Sequence, residues 1–149
     1  IKNSELGKKI KKKNLFPKRK SIERLINGYN LLKKYNKNKV KIFLENNVIT
    51  KKNLKEYKAN PLLLTSYSDY KHLSKNFKFE LLLDLAHLKV SSKTLKKKFD
   101  TEINKFAPFI KYAHVSSNNS LKDSNLSITR DKNIIDGINR LRLAINSYY

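Results

Sequence analysis

The hydrophobic pattern of the chain consists of short apolar runs separated by segments in which apolar residues recur at helical spacing. Three runs have the length and composition of β-strands: KVKIFLEN (39–46), FELLLDL (79–85) and FIKYAHVS (109–116). Their apolar residues do not alternate strictly with polar ones, which is typical of strands that are buried in a parallel sheet. The pattern therefore favours three strands whose two faces are both largely covered.

The segments around these runs predict helices at 21–35, 51–58, 68–76, 94–106 and 134–149, and a polar loop at 117–133. Ser21 is a candidate N-cap of the first helix, whose apolar positions extend to Leu32 and Tyr35. Strands that alternate with helices of this length are typical of βα units. The chain is therefore predicted to have an α/β fold with a parallel sheet.

The composition is that of one folded domain preceded by a basic segment. Of the 149 residues 39% are apolar, which is enough for a single hydrophobic core. Residues 1–20 are rich in Lys and are predicted to form a loop or a frayed helix, and 21–149 form the domain. No apolar run approaches the roughly 20 residues of a membrane helix, and the N-terminus lacks the apolar stretch of a signal peptide. We therefore expect a cytoplasmic protein without a membrane partner.

The chain contains neither Met nor Cys, and it begins at Ile1. Removal of an initiator Met normally exposes a small residue, so we interpret the sequence as part of a longer polypeptide. Without Cys there are no disulfides and no thiolate metal sites, and the redox compartment stays open.

A net charge of +22 indicates a partner that is anionic, such as nucleic acid. Two features weaken that interpretation. Lys greatly outnumbers Arg, whereas recognition of phosphates and base edges relies heavily on Arg. The chain is also rich in Asn, Ile and Tyr, as AT-rich coding sequences are, and such a bias raises the Lys content without any selection for binding. The charge therefore leaves both a binding surface and a merely solvated surface open.

Each of the three predicted strands ends in, or just before, an ionisable residue. Glu45 ends the first, Asp84 and His87 follow the second, and His114 ends the third. The carboxyl ends of parallel strands meet at one edge of a sheet, where α/β proteins bind their ligands. Two carboxylates and an imidazole suit Mn²⁺, Mg²⁺, Co²⁺ or Zn²⁺. His72 lies among polar residues in a helical stretch and is interpreted as a surface residue.

FLEN at 43–46, LLLDLAHLKVS at 81–91 and KYAHVSSNN at 111–119 resemble successive strand-end motifs of the xylose isomerase-like TIM-barrel superfamily. This superfamily contains sugar phosphate isomerases and epimerases, ketose 3-epimerases and endonuclease IV-type nucleases. The resemblance covers about residues 20–140. It implies a partial (β/α)8 barrel with about four parallel βα units, namely the C-terminal half of a barrel without its last strand.

The resemblance also implies roles for individual residues. Glu45, Asp84 and His114 would be metal ligands, Glu45 would also be a catalytic acid or base, and the substrate side would be formed by His87, Asn118, Asp123 and Asn125. In nuclease-like members the position of His87 serves a second metal ion. Asn125 occupies a position where the family commonly has a His, which disfavours a three-metal nuclease site.

The function implied by the resemblance is metal-dependent isomerisation or epimerisation of a sugar or sugar phosphate. A proton would be transferred next to a carbonyl through an enediolate, with the metal ion stabilising the developing charge. The second acid or base of the family, a Glu on the last strand, has no counterpart here, since Glu80 and Glu102 are poorly placed for it. Two alternatives stay open: an endonuclease IV-like phosphodiesterase, and a non-catalytic basic module that binds RNA, DNA or another polyanion.

Overall fold

A three-stranded parallel sheet lies at the centre of the computed structural model, which describes residues 15–37 and 39–146. In chain order the elements are α1 (Lys18–Asn36), β1 (Phe43–Glu45), α2 (Lys51–Tyr57), α3 (Tyr67–Ser74), β2 (Glu80–Asp84), α4 (Leu85–Thr94), α5 (Phe99–Phe106), β3 (Ile110–His114) and α6 (Lys132–Asn146). The strand order is β1-β2-β3, and both neighbouring pairs are parallel. The predicted mixed α/β fold with a parallel sheet is confirmed. Within the described ranges the sheet has three strands, and a partial barrel is not demonstrated.

The two faces of the sheet differ in their exposure. Leu81 and Leu83 of the central strand point to one face and are fully buried. Phe43, Leu82 and Tyr112 lie on the other face, where Phe43 and Leu82 are half-buried and Tyr112 is 55% exposed. The hydrophobic core therefore lies mainly on one side of the sheet.

The core joins the central strand to the helices. Its largest fully buried members are apolar side chains of β2 and of α3 to α6: Leu73, Leu81, Leu83, Leu85, Leu88, Ile103, Phe106 and Ile134. Burial of a side chain of this size stabilises the fold by about 1.5–3 kcal/mol. Helices α3 to α6 are therefore fixed mainly by their contacts with β2 and with one another.

The first helix starts earlier than the sequence pattern predicts. It begins at Lys18, directly after Pro17, whose backbone (φ −51°, ψ 140°) leads into the helix without a side-chain cap. Ser21 lies one turn inside, and its N–H donates to the carbonyl of Pro17 at 3.0 Å. The predicted N-cap is therefore wrong. Leu32 and Tyr35 are exposed (59% and 76%), so the inward face of α1 does not extend to them.

The predicted helix at 94–106 is wrong as a single element. The chain forms α4 immediately after β2 and then a separate α5. Lys96 has a positive φ of 56°, and the N–H of Lys97 donates to the carbonyl of Ser92 at 2.8 Å, which closes the end of α4. The apolar residues after Asp84 fit a strand and a buried helix equally well, and for this reason the sequence pattern did not predict that α4 begins at Leu85.

Parts of the sequence predictions fall outside the described residues. These are residues 1–14 of the basic segment and the last residues of the predicted helix at 134–149. Of the 1–20 segment, Lys18–Lys20 belong to α1. None of the helices in the described ranges is both long enough and apolar enough to cross a membrane.

Two helical glycines provide a test of the core packing. A Cβ added to buried Gly137 would lie 2.9 Å from Ile103 Cδ1, whereas a Cβ at Gly28 would meet nothing within 4 Å. Gly137→Val should lower the free energy of unfolding in urea by about 1–3 kcal/mol, because α6 packs tightly on α5. Gly28→Val is the matched control and should raise it by a few tenths of a kcal/mol, about the difference in helix propensity. Equal effects at the two positions would contradict the packing described here.

Candidate metal centre

Three strand-end side chains converge at the carboxyl edge of the sheet. Asp84 and His114 are register partners, and Glu45 lies opposite Leu82, two residues before Asp84, so all three lie on the same face. One ligand atom from each lies within 4.8 Å of the others. Glu45 Oε1 is 3.3 Å from His114 Nδ1. The structure thus brings together the three residues that were predicted as metal ligands.

These side chains are suited to a divalent ion in type and nearly so in spacing. Bonds of about 2.0–2.2 Å hold two ligand atoms at most about 4.4 Å apart, so the cluster has to contract by a few tenths of an ångström to bind an ion. The side chains of Glu45 and His114 are 38% and 51% exposed and have room for this movement. Asp84 is buried and fixed.

Asp84 is fixed because it ends β2 and caps α4 at the same time. Its Oδ1 accepts the backbone N–H of His87 at 2.8 Å, which is the N-cap interaction of α4. Its backbone is fixed by Asn46, whose Oδ1 accepts the N–H of Asp84 at 2.6 Å and whose Nδ2 donates to its carbonyl at 3.0 Å. Oδ2 is therefore the oxygen that can take a further ligand.

Burial raises the pKa of Asp84 above its ordinary value of 3.8. The N–H of His87 and the nearby His87 ring act in the opposite direction, while the charges of Glu45 and Asp123 raise the pKa further. A bound cation would favour the ionised form, because it would offset both the burial and the repulsion between the carboxylates.

The His87 ring is engaged by the protein on both sides. Nδ1 is 2.8 Å from the backbone carbonyl of Asn46, and Nε2 is 3.1 Å from Asp123 Oδ2. A carbonyl oxygen only accepts hydrogen bonds, so Nδ1 carries a proton. The second contact needs another proton, either on Nε2 or on Asp123, and the pair is therefore neutral overall. A substrate contact by His87 stays a prediction, and it would have to replace Asp123 at Nε2.

The other predicted substrate residues differ in their surroundings. Asn118 is buried, and its Nδ2 donates to the carbonyl of Ala86 at 2.9 Å, so it holds the loop after β3 against α4. Asn125 is exposed and accepts from the Ser116 hydroxyl at 3.1 Å. Asp123 Oδ1 is buried and has no hydrogen-bond partner among the described residues. Of the three, Asp123 alone has a side-chain oxygen without a partner, and its other oxygen contacts the His87 ring.

A buried ion pair attaches the loop after β3 to α4. Lys89 Nζ lies 2.5 Å from Asp131 Oδ2 and donates to the carbonyl of Asn118 at 2.9 Å. Burial alone would raise the pKa of Asp131, but hydrogen bonds from Lys89, from the Ser117 hydroxyl and from the N–H of Ile134 outweigh it, and the pKa is lowered. The loop that carries Asp123 is thereby fixed next to His87.

The sequence interpretation missed the role of Asn46. It is 1% exposed, it bonds to both backbone groups of Asp84, and its own carbonyl receives His87. The available signal was an Asn directly after a strand-end Glu in FLEN. Its partners lie about 40 positions away in the sequence, so no local pattern indicates them.

Asp84 should limit the stability of the protein at neutral pH in the presence of a chelator. Its pKa in the folded state is raised above 3.8, so between pH 3.8 and that raised pKa the folded state binds more protons than the unfolded state. The stability that the neutral carboxyl confers is complete below pH 3.8, and it is lost as the pH rises through the pKa of the folded state. Asp84→Asn keeps the cap and removes the charge, so it should be more stable than the wild type at pH 7, but not at pH 3.5.

Asp84→Ala is the matched control, because it removes both the charge and the cap. Its free energy of unfolding at pH 7 should lie about 0.5–2 kcal/mol below that of Asp84→Asn. Urea unfolding at the two pH values measures both differences. A wild type that is more stable than Asp84→Asn at pH 7 would show that burial does not dominate at this carboxyl.

Comparison with known proteins adds no family to this description. No protein-family model matches the chain, and neither the curated proteins nor the solved structures give a significant match. The function therefore has to be inferred from the geometry and chemistry of the site itself.

Proposed function

We propose that Glu45, Asp84 and His114 bind a divalent metal ion, and that the chain is part of a metal-dependent sugar or sugar phosphate isomerase or epimerase. The observation that carries the proposal is the convergence of these three side chains from three successive parallel strands. The resemblance of FLEN, LLLDLAHLKVS and KYAHVSSNN to strand-end motifs of the xylose isomerase-like superfamily supports the choice of reaction.

The distribution of charge supports a cation at this site. Lys pairs with acidic groups elsewhere in the described structure, for example with Asp69, Glu102 and Asp131. At the metal centre Glu45 is paired only with histidines among the described residues, and Asp84 is paired with no Lys or Arg there. In a chain with 34 Lys and Arg residues, carboxylates without such partners are those a metal ion would satisfy.

The strand order supports the proposal that the sheet is part of the wall of a barrel. In the order β1-β2-β3, with parallel connections of the usual right hand, both helical connections lie on the same face of the sheet. The other face, with Phe43, Leu82 and Tyr112, would then be the inside of a barrel, and the metal centre lies on it. A groove beside the outer edge of β3, lined by Tyr112, Val115 and Leu141, is what a further strand would cover.

The chain's own residues suit proton transfer next to a carbonyl. Glu45 is accessible, and it is the candidate base for the carbon-bound proton. The unpartnered Oδ1 of Asp123 could accept a substrate hydroxyl, and the neutral His87–Asp123 pair could donate or receive a proton beside it. A bound divalent ion would polarise the carbonyl and hydroxyl oxygens of the substrate.

Metal binding is the direct test of the site. Calorimetry at pH 7 should show one Mn²⁺ or Zn²⁺ per chain, with affinity at least about tenfold weaker in Asp84→Asn and in His114→Ala, because each loses one ligand. His72→Ala is the matched control, because His72 is exposed and is not part of the cluster, and this variant should bind the ion as the wild type does. No binding by a chain with a cooperative unfolding transition, or an equal loss in His72→Ala, would rule out this site.

The reaction is tested separately, by solvent deuterium exchange into ketoses and their phosphates followed by NMR. Exchange at the carbon next to the carbonyl should require the metal ion and should fall at least about 100-fold in Glu45→Gln, which lacks the base. Site-dependent metal binding without exchange in any ketose would leave the metal site in place and would exclude the isomerase assignment.

A further inference from the structure

We propose a second binding site on this protein, for the phosphate group of a small molecule, in a cleft between the end of α4, the start of α5 and α6. We call it the basic cleft. Its lining includes Ser92, Lys93, Lys97, Lys98, Thr101 and Arg140. Its volume of about 640 Å³ is sufficient for a phosphate together with an organic group. None of these residues belongs to the metal centre, and the proposal does not depend on the proposed function.

The Ser92 hydroxyl is the first observation. Ser92 is 2% exposed and lines the cleft, yet its Oγ has no hydrogen-bond partner among the described residues. A buried hydroxyl without a partner destabilises a fold, because it has lost its hydrogen bonds to water. Such a group is expected where a ligand provides the missing acceptor, and phosphate oxygens are strong acceptors.

The start of α5 is the second observation. Lys98 is the N-cap residue, and it contributes no side-chain cap to the helix. The N–H groups of the first turn, at residues 99–101, have no acceptor within the helix and carry its partial positive charge. Backbone N–H groups in this arrangement bind phosphate in many proteins. Ser92 and residues 98–101 line the same cleft, and the proposed anion lies between them.

The charges around the cleft favour an anion. Lys93, Lys97, Lys98 and Arg140 line it, and Asp100 is the carboxylate among its lining residues. Asp100 Oδ2 accepts from Arg140 Nη2 at 3.5 Å, and both side chains are about half exposed, so their attraction is weak.

Two of the lysines that line the cleft, Lys97 and Lys89, have carboxylate partners. Lys97 Nζ is 3.8 Å from Glu102, which Lys105 also approaches at 3.8 Å, so Lys97 is only partly neutralised. Lys89 also lines the cleft, but it is neutralised by Asp131. The cationic side chains at the mouth of the cleft thus keep an excess of positive charge, which a phosphate dianion would balance.

The basic cleft and the metal centre lie on different sides of α4. His87 and Ser92 are five positions apart on this helix, which corresponds to roughly 140° around its axis. His87 contacts Asn46 and Asp123, whereas Ser92 lines the cleft. A ligand in the basic cleft therefore does not compete with an ion at the metal centre.

The first experiment is a titration of the chain with inorganic phosphate, at constant ionic strength with chloride as the balancing anion, followed by ¹H–¹⁵N spectra. The amide signals of residues 99–101 and of Ser92 should move first and furthest. Ser92→Ala, which suits a helix, should weaken binding on the order of tenfold, because one hydrogen bond to a charged group is lost. Shifts spread evenly over the exposed lysines, or unchanged affinity in Ser92→Ala, would overturn the proposal.

Variants that change one charge each distinguish binding in the basic cleft from general electrostatic attraction of phosphate to the basic surface. Lys98→Gln should weaken phosphate binding severalfold. Lys71→Gln, an equal change of charge at an exposed position of α3, should not. Asp100→Asn should tighten binding about two- to fivefold, because it removes the opposing carboxylate. Equal effects of the two Lys variants would overturn the proposal.

Titration with two further compounds distinguishes the possible ligands that carry the phosphate. Tighter binding of glucose 6-phosphate than of inorganic phosphate supports a phosphorylated metabolite as the ligand, and equal binding supports free phosphate. Either result supports the proposed site only if Ser92→Ala binds the same compound more weakly than the wild type. A single-stranded oligonucleotide could instead bind more tightly than either phosphate compound, and bind Ser92→Ala and Lys98→Gln as tightly as the wild type. That result would overturn the proposed site and indicate a diffuse basic surface that binds nucleic acid.

Discussion

The side chain of Asn46 is the constraint on which the geometry of the candidate site depends. The ladder between β1 and β2 ends with Glu45, and the amide of Asn46 continues the pairing by bonding to both backbone groups of Asp84. Its carbonyl then receives the His87 ring. One residue thus sets the separation of two strand ends and the orientation of the first turn of α4. A buried amide with all these partners is rigid, because each broken bond leaves a polar group unsatisfied.

The polar residues of α4 extend this attachment to the rest of the site. The helix is almost completely buried, yet His87, Lys89 and Ser91 are polar. His87 binds Asp123 and Lys89 binds Asp131, both in the loop after β3. Ser91 accepts the N–H of Ile49, in the segment after β1, at 3.1 Å. Buried polar groups that are fully paired select one arrangement of their neighbours over others. The segment after β1 and the loop after β3 are therefore both positioned by this one helix.

The sequence predicts the parts of this arrangement that depend on local pattern and on the geometry of parallel sheets. The three strands and the convergence of Glu45, Asp84 and His114 follow from apolar runs that end in ionisable residues, because parallel strands end at one edge. The start of α4 at Leu85 does not follow, since an apolar strand that passes directly into a buried helix has no change of composition. The partners of Asn46 and His87 could not be predicted either, because they are separated by about 40 residues and depend on tertiary structure.

The positive charge of the chain and the acidity of its strand ends are two aspects of one electrostatic arrangement. Most Lys and Arg residues in the described ranges lie at the surface, and buried Lys89 is neutralised by Asp131. Glu45, Asp84 and Asp123 lie near one another, and the described side chains give them imidazoles and no Lys or Arg. Burial and the neighbouring carboxylates make a negative charge on Asp84 costly, and its pKa is raised. At the proposed metal site a small divalent cation would offset this cost better than a Lys side chain, because it would contact several oxygens at once without the volume of a four-carbon stem.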